Sequence, residues 1–197
     1  LAGASGQFLT VEPVNGNVGV GEASPGFPLS FSNTLGDKIS LYGQSGAHYG
    51  LGVQTNLLQI HTAAANADIA FGHGQSTGFT ETMRIKGNGY VGIGTSTPIM
   101  PLTVQGYGAF SQWLQLRDSA GVNKWHLNCL NGGVNIAETG TADARLFIAA
   151  GGGVGIGTAL PGYPLSFANS LGDKISLWGQ SGAHYGLGVQ SNLLQIH

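Results

Sequence analysis

The side chains able to do chemistry in this chain are few and scattered: six histidines (His48, His61, His73, His126, His184, His197), one cysteine, Cys129, and a small set of carboxylates. Two carboxylates flanking a glycosidic bond would serve polysaccharide cleavage, and Asp37, Asp68, Asp118, Asp143 and Asp173 are the acids that copies of the chain could pair in that way. Asp37 and Asp173, however, each sit in a Gly-Asp-Lys turn, where an exposed ion pair with Lys38 or Lys174 is the plainer reading. Histidines hold divalent metals when several converge. None of the six has the close sequence spacing of a metal site, so convergence would require a threefold axis gathering copies of one histidine; surface or cross-strand positions are the simpler expectation. Tyr42, Trp113, Trp125 and Trp178 could stack on sugars, but they occupy recurrent strand positions, which points to packing against a neighbouring layer. Gly87-Asn88-Gly89-Tyr90-Val91-Gly92 matches a bare G-x-G-x-x-G with no surrounding βαβ pattern, and reads as a turn and strand entry. Cys129 cannot form an intrachain disulfide and reads as a small buried hydrophobe. No catalytic, cofactor-binding or metal-binding residue is assigned, no cofactor is expected, and the chain reads as a non-enzyme.

Composition narrows the partners. There are 35 glycines, roughly two and a half times the usual share, and charged residues make up 8% against a typical value of about 25%. Disorder would combine low hydrophobicity with high charge, whereas 42% of residues are hydrophobic and the net charge is −2; collagen would need glycine at every third position. The chain therefore folds. With Lys+Arg 7 against Asp+Glu 9 it offers no basic field for nucleic acid and no polybasic patch for anionic lipid. No run of about 18 apolar residues predicts membrane insertion. The start, Leu1 to Gly6, lacks an initiating Met and the layout of a signal peptide, so the sequence reads as a window from a longer array.

The elements that must position these residues come as repeats. Val18 to His61 and Val154 to His197 align without gaps and are identical at roughly four positions in five. A divergent copy begins at Val91-Gly92-Ile93-Gly94-Thr95-Ser96-Thr97-Pro98, and its Trp113 to Gly121 parallels Ile39 to Gly46. The modules are 18–90, 91–153 and a truncated 154–197, with 1–17 as the end of a preceding one.

Within each module, short runs alternate apolar and polar residues at period two, as strands with one buried face do. Lys38 to Tyr42 places Ile39 and Leu41 on one side; His48 to Gln54, Leu57 to His61, Thr82 to Lys86 and Lys124 to Cys129 repeat the pattern. Turns are expected at Leu35 to Asp37, Gln44 to Gly46, Lys86 to Gly89 and Asn131 to Gly133. Thr62 to Ala67 is the one helix candidate, and could equally be a loop. The fold class is all-β. Short strands in a module of this size bury too little to stand alone. In Val91-Gly92-Ile93 the branched residues face one way, and the bare glycine on the other face would let a second chain approach. Val18, Val20, Val91, Ile93, Val154 and Ile156 are accordingly the candidate subunit-interface core.

The VGIGT-x-x-P signature of Val91 to Pro98 and Val154 to Pro161, weaker at Val18 to Pro25 where Glu22 replaces Thr, is followed by Pro-Leu-x-Val or Pro-Leu-x-Phe. Together with Asp37 to Gln54 and Asp173 to Gln190, it resembles the repeats of bacteriophage tail-fibre shafts and of long bacterial surface proteins. The resemblance implies an elongated, intertwined homotrimeric β-fibre with Gly-rich turns. It also implies an extracellular location, on a virion tail or a cell surface, where the chain would support attachment. In such proteins a self-cleaving C-terminal chaperone often follows the shaft, and host or environmental glycans are bound by a distal tip. A bacterial surface filament or adhesin is the alternative from the same repeats, and a carbohydrate-active tailspike the alternative from another class.

Overall fold

The computed structural model describes residues 9–44, 46–106, 111–180 and 183–197, and these form nineteen strands in five sheets with no helix. In chain order the first sheet holds β1 (Leu9–Val11), β2 (Val18–Val20) and β3 (Leu29–Phe31). The second holds β4 (Gly36–Gln44), β5 (Ala47–Gln54) and β6 (Leu57–His61). The third holds β7 (Ile69–His73), β8 (Thr80–Ile85), β9 (Val91–Ile93) and β10 (Leu102–Val104). The fourth runs β11 (Gln112–Arg117), β12 (Asn123–Leu130), β13 (Gly133–Glu138), β14 (Ala142–Ile148), β15 (Val154–Ile156) and β16 (Leu165–Phe167). The fifth holds β17 (Gly172–Gln180), β18 (Ala183–Gln190) and β19 (Leu193–Ile196). The chain divides into two compact units, Leu1–Gly92 with Ser96–Thr103, and Ile93–Thr95 with Val104–His197.

The repeated signature owes its glycines to one local construction. β2 runs parallel to β3, with Val18 opposite Leu29, and β15 runs parallel to β16, with Val154 opposite Leu165. The chain turns back within a few residues, and the second glycine of each signature takes a left-handed φ of +66° at Gly21, +73° at Gly94 and +71° at Gly157. The first glycine answers a different demand. A Cβ on Gly19 would overlap the carbonyl of Glu22, and one on Gly155 the carbonyl of Thr158. The bare face thus accommodates the chain's own next turn, whereas the sequence pattern had pointed to a second chain there. Of the six candidate core residues, Val18, Val91 and Val154 are half-buried, and Val20, Ile93 and Ile156 are exposed at 40%, 43% and 43%.

Sheets cross the boundaries between sequence modules. β14, the last strand of the middle module, pairs with β15, the first of the next, and β1 pairs in the same antiparallel way with β2. Four of the five period-two runs coincide with strands, two of them with a single bulged residue at the start of the run, Thr82 in β8 and Lys124 in β12. The fifth, in β4, is interrupted by register shifts between Asp37 and Ile39 and between Ser40 and Tyr42, so its alternation is broken: Ile39 lies opposite Leu51 and Tyr42 opposite Tyr49. Thr62 to Ala67 is a loop, closed by the Ala67 amide donating to the Ala64 carbonyl and by Thr62 Oγ1 donating to the Ala67 carbonyl. The Lys86 to Gly89 turn forms as expected, with Gly89 N bonded to Lys86 O, and opens into strand β9. Asn131 and Gly132 make the β12 to β13 turn with φ of 49° and 76°. Ser45, in the Gln44 to Gly46 turn, lies outside the described residues.

Little apolar material is enclosed. Among the described residues the buried hydrophobic side chains are Ala137, Ala144 and Phe147.

Candidate functional site

The β4–β5–β6 sheet has two unlike faces, and the period of the strand decides which residue lies on which. On β5, His48, Gly50 and Gly52 share one face while Tyr49, Leu51 and Val53 share the other. Antiparallel register then brings Asp37 of β4 opposite Gly52, and His61 of β6 opposite Gly50. Gly52 adds no side chain here, a Cβ on Gly50 would overlap the Ile39 carbonyl, and three functional side chains gather beside these glycines. His48 Nε2 lies 3.6 Å from Asp37 Oδ2, and His61 Nε2 lies 3.4 Å from Asp37 Oδ1. The imidazoles meet edge to face with ring centroids 4.6 Å apart. Both Nε2 atoms are buried and have no hydrogen-bond partner, while the carboxylate is 60% exposed. A shallow depression of about 260 Å³ opens beside them, lined by Asp37, His48, Gln59, His61 and Thr62 among others.

The same cluster recurs on β17–β18–β19. His184 Nε2 is 3.6 Å and His197 Nε2 3.0 Å from the Asp173 carboxylate, and His184 Nε2 is again buried without a hydrogen-bond partner. The Asp-Lys ion pair expected at these positions does not form. Asp and Lys are successive residues of a strand and diverge, so Lys38 Nζ donates to the Ser32 carbonyl at 3.0 Å and to Thr34 Oγ1, and Lys174 Nζ to the Ala168 carbonyl and Ser170 Oγ.

The middle module treats the same face differently. Counted from the β-turn, His126 stands where Gly50 does, Asn128 where Gly52 does, Asn135 where Gln59 does, and Ala137 where His61 does. Polar side chains thus stand where the other modules have bare backbone. Asn135 Nδ2 donates to Asn128 Oδ1 at 2.8 Å and to Asp143 Oδ1 at 3.2 Å, and Asn135 Oδ1 accepts the Ala144 amide at 2.8 Å. His126 Nδ1 is 3.0 Å from Thr139 Oγ1. These side chains are hydrogen-bonded to one another beside a depression of about 410 Å³ lined by His126, Asn128 and Asp143 among others.

The opposite face of each three-stranded sheet is apolar and uncovered. Leu58 is 71% exposed and Ile60 56%, beside Leu51 and Val53. Leu194 and Ile196 repeat them. Tyr42 packs on Tyr49 and Trp178 on Tyr185 across the strands, with centroids 6.2 and 5.6 Å apart, yet Tyr42 and Trp178 remain largely exposed. Among the described residues none covers them as the expected packing layer. Cys129, expected to be buried, is half-buried.

The remaining acids weighed for glycoside cleavage have structural partners. Asp68 is bonded to the Gly87 amide and to Arg84, Asp118 to the Ala120 and Val122 amides, and Asp143 to Asn135. Comparison of the sequence with protein-family models and with curated proteins gives no match.

Proposed function

We propose that this chain is a structural shaft segment of a homotrimeric, elongated fibre that supports attachment from outside the cell, on a virion tail or a cell surface. One observation carries the reading: the repeated sheets leave their apolar faces without cover. On these faces Leu58, Ile60, Leu194 and Ile196 are exposed at 71%, 56%, 68% and 81%. Copies of the same chain are the natural cover, because every module presents the same apolar strands, and repetition lets one interface be used again along the array.

A structural role fits Asp68, Asp118 and Asp143, which are engaged by backbone amides, arginine or a side-chain amide. The near-neutral, Gly, Ser and Asn-rich surface supports no attraction to nucleic acid or anionic lipid. The mass of the native particle in solution tests the reading: three times 20.1 kDa supports it, and a stable monomer at 20.1 kDa overturns it.

A further inference from the structure

We propose that the two Asp-His-His clusters, Asp37 with His48 and His61 and Asp173 with His184 and His197, are divalent transition-metal sites with zinc as the fitting ion. In each cluster one carboxylate oxygen and two imidazole nitrogens lie within 4.8 Å of one another. Zinc takes imidazole nitrogen and carboxylate oxygen at about 2.0–2.2 Å in a tetrahedron, which sets neighbouring donors roughly 3.3 Å apart. The Nε2 to Oδ1 separations, 3.4 Å in the first cluster and 3.0 Å in the second, lie near that edge, and the other imidazole of each cluster stands 3.6 Å from the second carboxylate oxygen. The 3.4 and 3.6 Å separations are too long for good hydrogen bonds, whereas His197 Nε2 at 3.0 Å from Asp173 Oδ1 is within hydrogen-bonding distance. His48, His61 and His184 accordingly keep a buried Nε2 with no hydrogen-bond partner, an arrangement that costs stability unless something else binds the nitrogen.

Gly52 and Gly188 keep space clear beneath the clusters, while a Cβ on Gly50 or Gly186 would instead overlap the Ile39 or Ile175 carbonyl. A Cβ on Gly188 would stand 2.8 Å from Asp173 Oδ1 and 2.9 Å from His197 Nε2, and one on Gly52 would stand 3.1 Å from Asp37 Oδ1. The middle module supplies the contrast within the same chain. There the two glycine positions carry His126 and Asn128, and the position of His61 carries Ala137. Two modules keep three ligands, and the middle one has instead a hydrogen-bonded set of Asn128, Asn135 and Asp143. In the first cluster the depression beside Gln59 and Thr62 leaves room for water or a second donor to complete the shell.

The test uses the whole chain, stripped with a chelator and titrated with zinc chloride by calorimetry. Two ions per chain are expected, one for each cluster. His48→Gln should leave one ion, His48→Gln with His184→Gln none, and His126→Gln both. Loss of a ligand should weaken its site by more than the roughly 10–100-fold that loss of an outer-shell partner costs. Zinc-edge X-ray absorption on the unmutated chain gives a readout independent of any variant's folding, with two imidazoles and a carboxylate expected around each ion. Absence of zinc binding, a shell without imidazole, or stoichiometry indifferent to His48 and His184 would overturn the proposal. The outcome is separate from the mass measurement, because the clusters and the uncovered apolar side chains lie on opposite faces of their sheets.

Discussion

Asp68 and Asp118 show how single side chains hold the loops between strands. The Gly87 amide donates to Asp68 Oδ1 at 3.0 Å, and Arg84 Nη1 donates to Oδ2 at 2.7 Å. The backbone bond first, then Arg84, hold this carboxyl below its ordinary value of 3.8 against the opposing effect of burial. The Val122 amide chiefly does the same for Asp118, with Lys124 and the Ala120 amide adding to it. A group whose folded pKa is depressed contributes stability that is fully present above the unfolded value and fades as pH falls through the folded one. Asp68→Asn should therefore lower the melting temperature near neutral pH, with the gap to the parent narrowing as pH drops below 3.8. Melting curves across that range check the sign; a gap that widens in acid would contradict it. In the middle module, Asn135 is fully buried and serves Asn128, Asp143 and the Ala144 amide. Asn135→Ala should cost about 1–3 kcal/mol for each buried group left unpaired, read by denaturant titration. Asn135→Asp should remain destabilised, since it keeps an acceptor for Ala144 but loses the donor to Asn128.

At the scale of elements, the two glycines of each signature should separate by mechanism. Gly157→Ala places a side chain at φ +71° and should cost about 1–2 kcal/mol, the penalty of the left-handed region. Gly155→Ala drives a Cβ into the Thr158 carbonyl and must open the turn, so its loss should be larger, about 3 kcal/mol. Denaturant midpoints of the two variants give the order, and equal losses would remove the distinction. The glycines themselves were plain in the sequence, as were most strands, because a half-buried sheet writes its period directly into runs such as Lys124 to Cys129. What each glycine meets was not, since Glu22 and Thr158 reach Gly19 and Gly155 only once the turn is folded. The bulges of β4 were hidden for a similar reason: Lys38 to Tyr42 alternates on paper, and only pairing with β5 shows residues slipping out of register. The histidine clusters were the least legible feature. His48, His61 and Asp37 are far apart in sequence and meet because antiparallel register sets His61 beside Gly50 and Asp37 beside Gly52. Spacing rules that look for neighbouring ligands pass over such a set.

For the molecule as a whole, the deciding quantity is how much apolar surface the sheets leave to a partner. Leu58 and Leu194 occupy equivalent places on β6 and β19, exposed at 71% and 68%, on the faces away from the histidines. If three chains cover these faces, a Leu58→Asp and Leu194→Asp double variant removes six apolar side chains from the assembly. At about 1.5–3 kcal/mol for each fully buried leucine, the loss is on the order of 10 kcal/mol even before the carboxylates are desolvated. That is comparable with the whole stability of an ordinary domain. The double variant should then sediment at the mass of the single chain, or fail to accumulate as soluble protein, while the parent sediments at three times that mass. Thr55→Asp with Ser191→Asp is the matched control, because it adds the same charges in the exposed β-turns next to those strands and should leave the assembly intact. If the leucine variant kept the parent's mass, these faces would not be the subunit contact, and the repeats would have to join through another surface. If the turn variant dissociated as readily, added charge would be the cause and the apolar faces would carry no special weight.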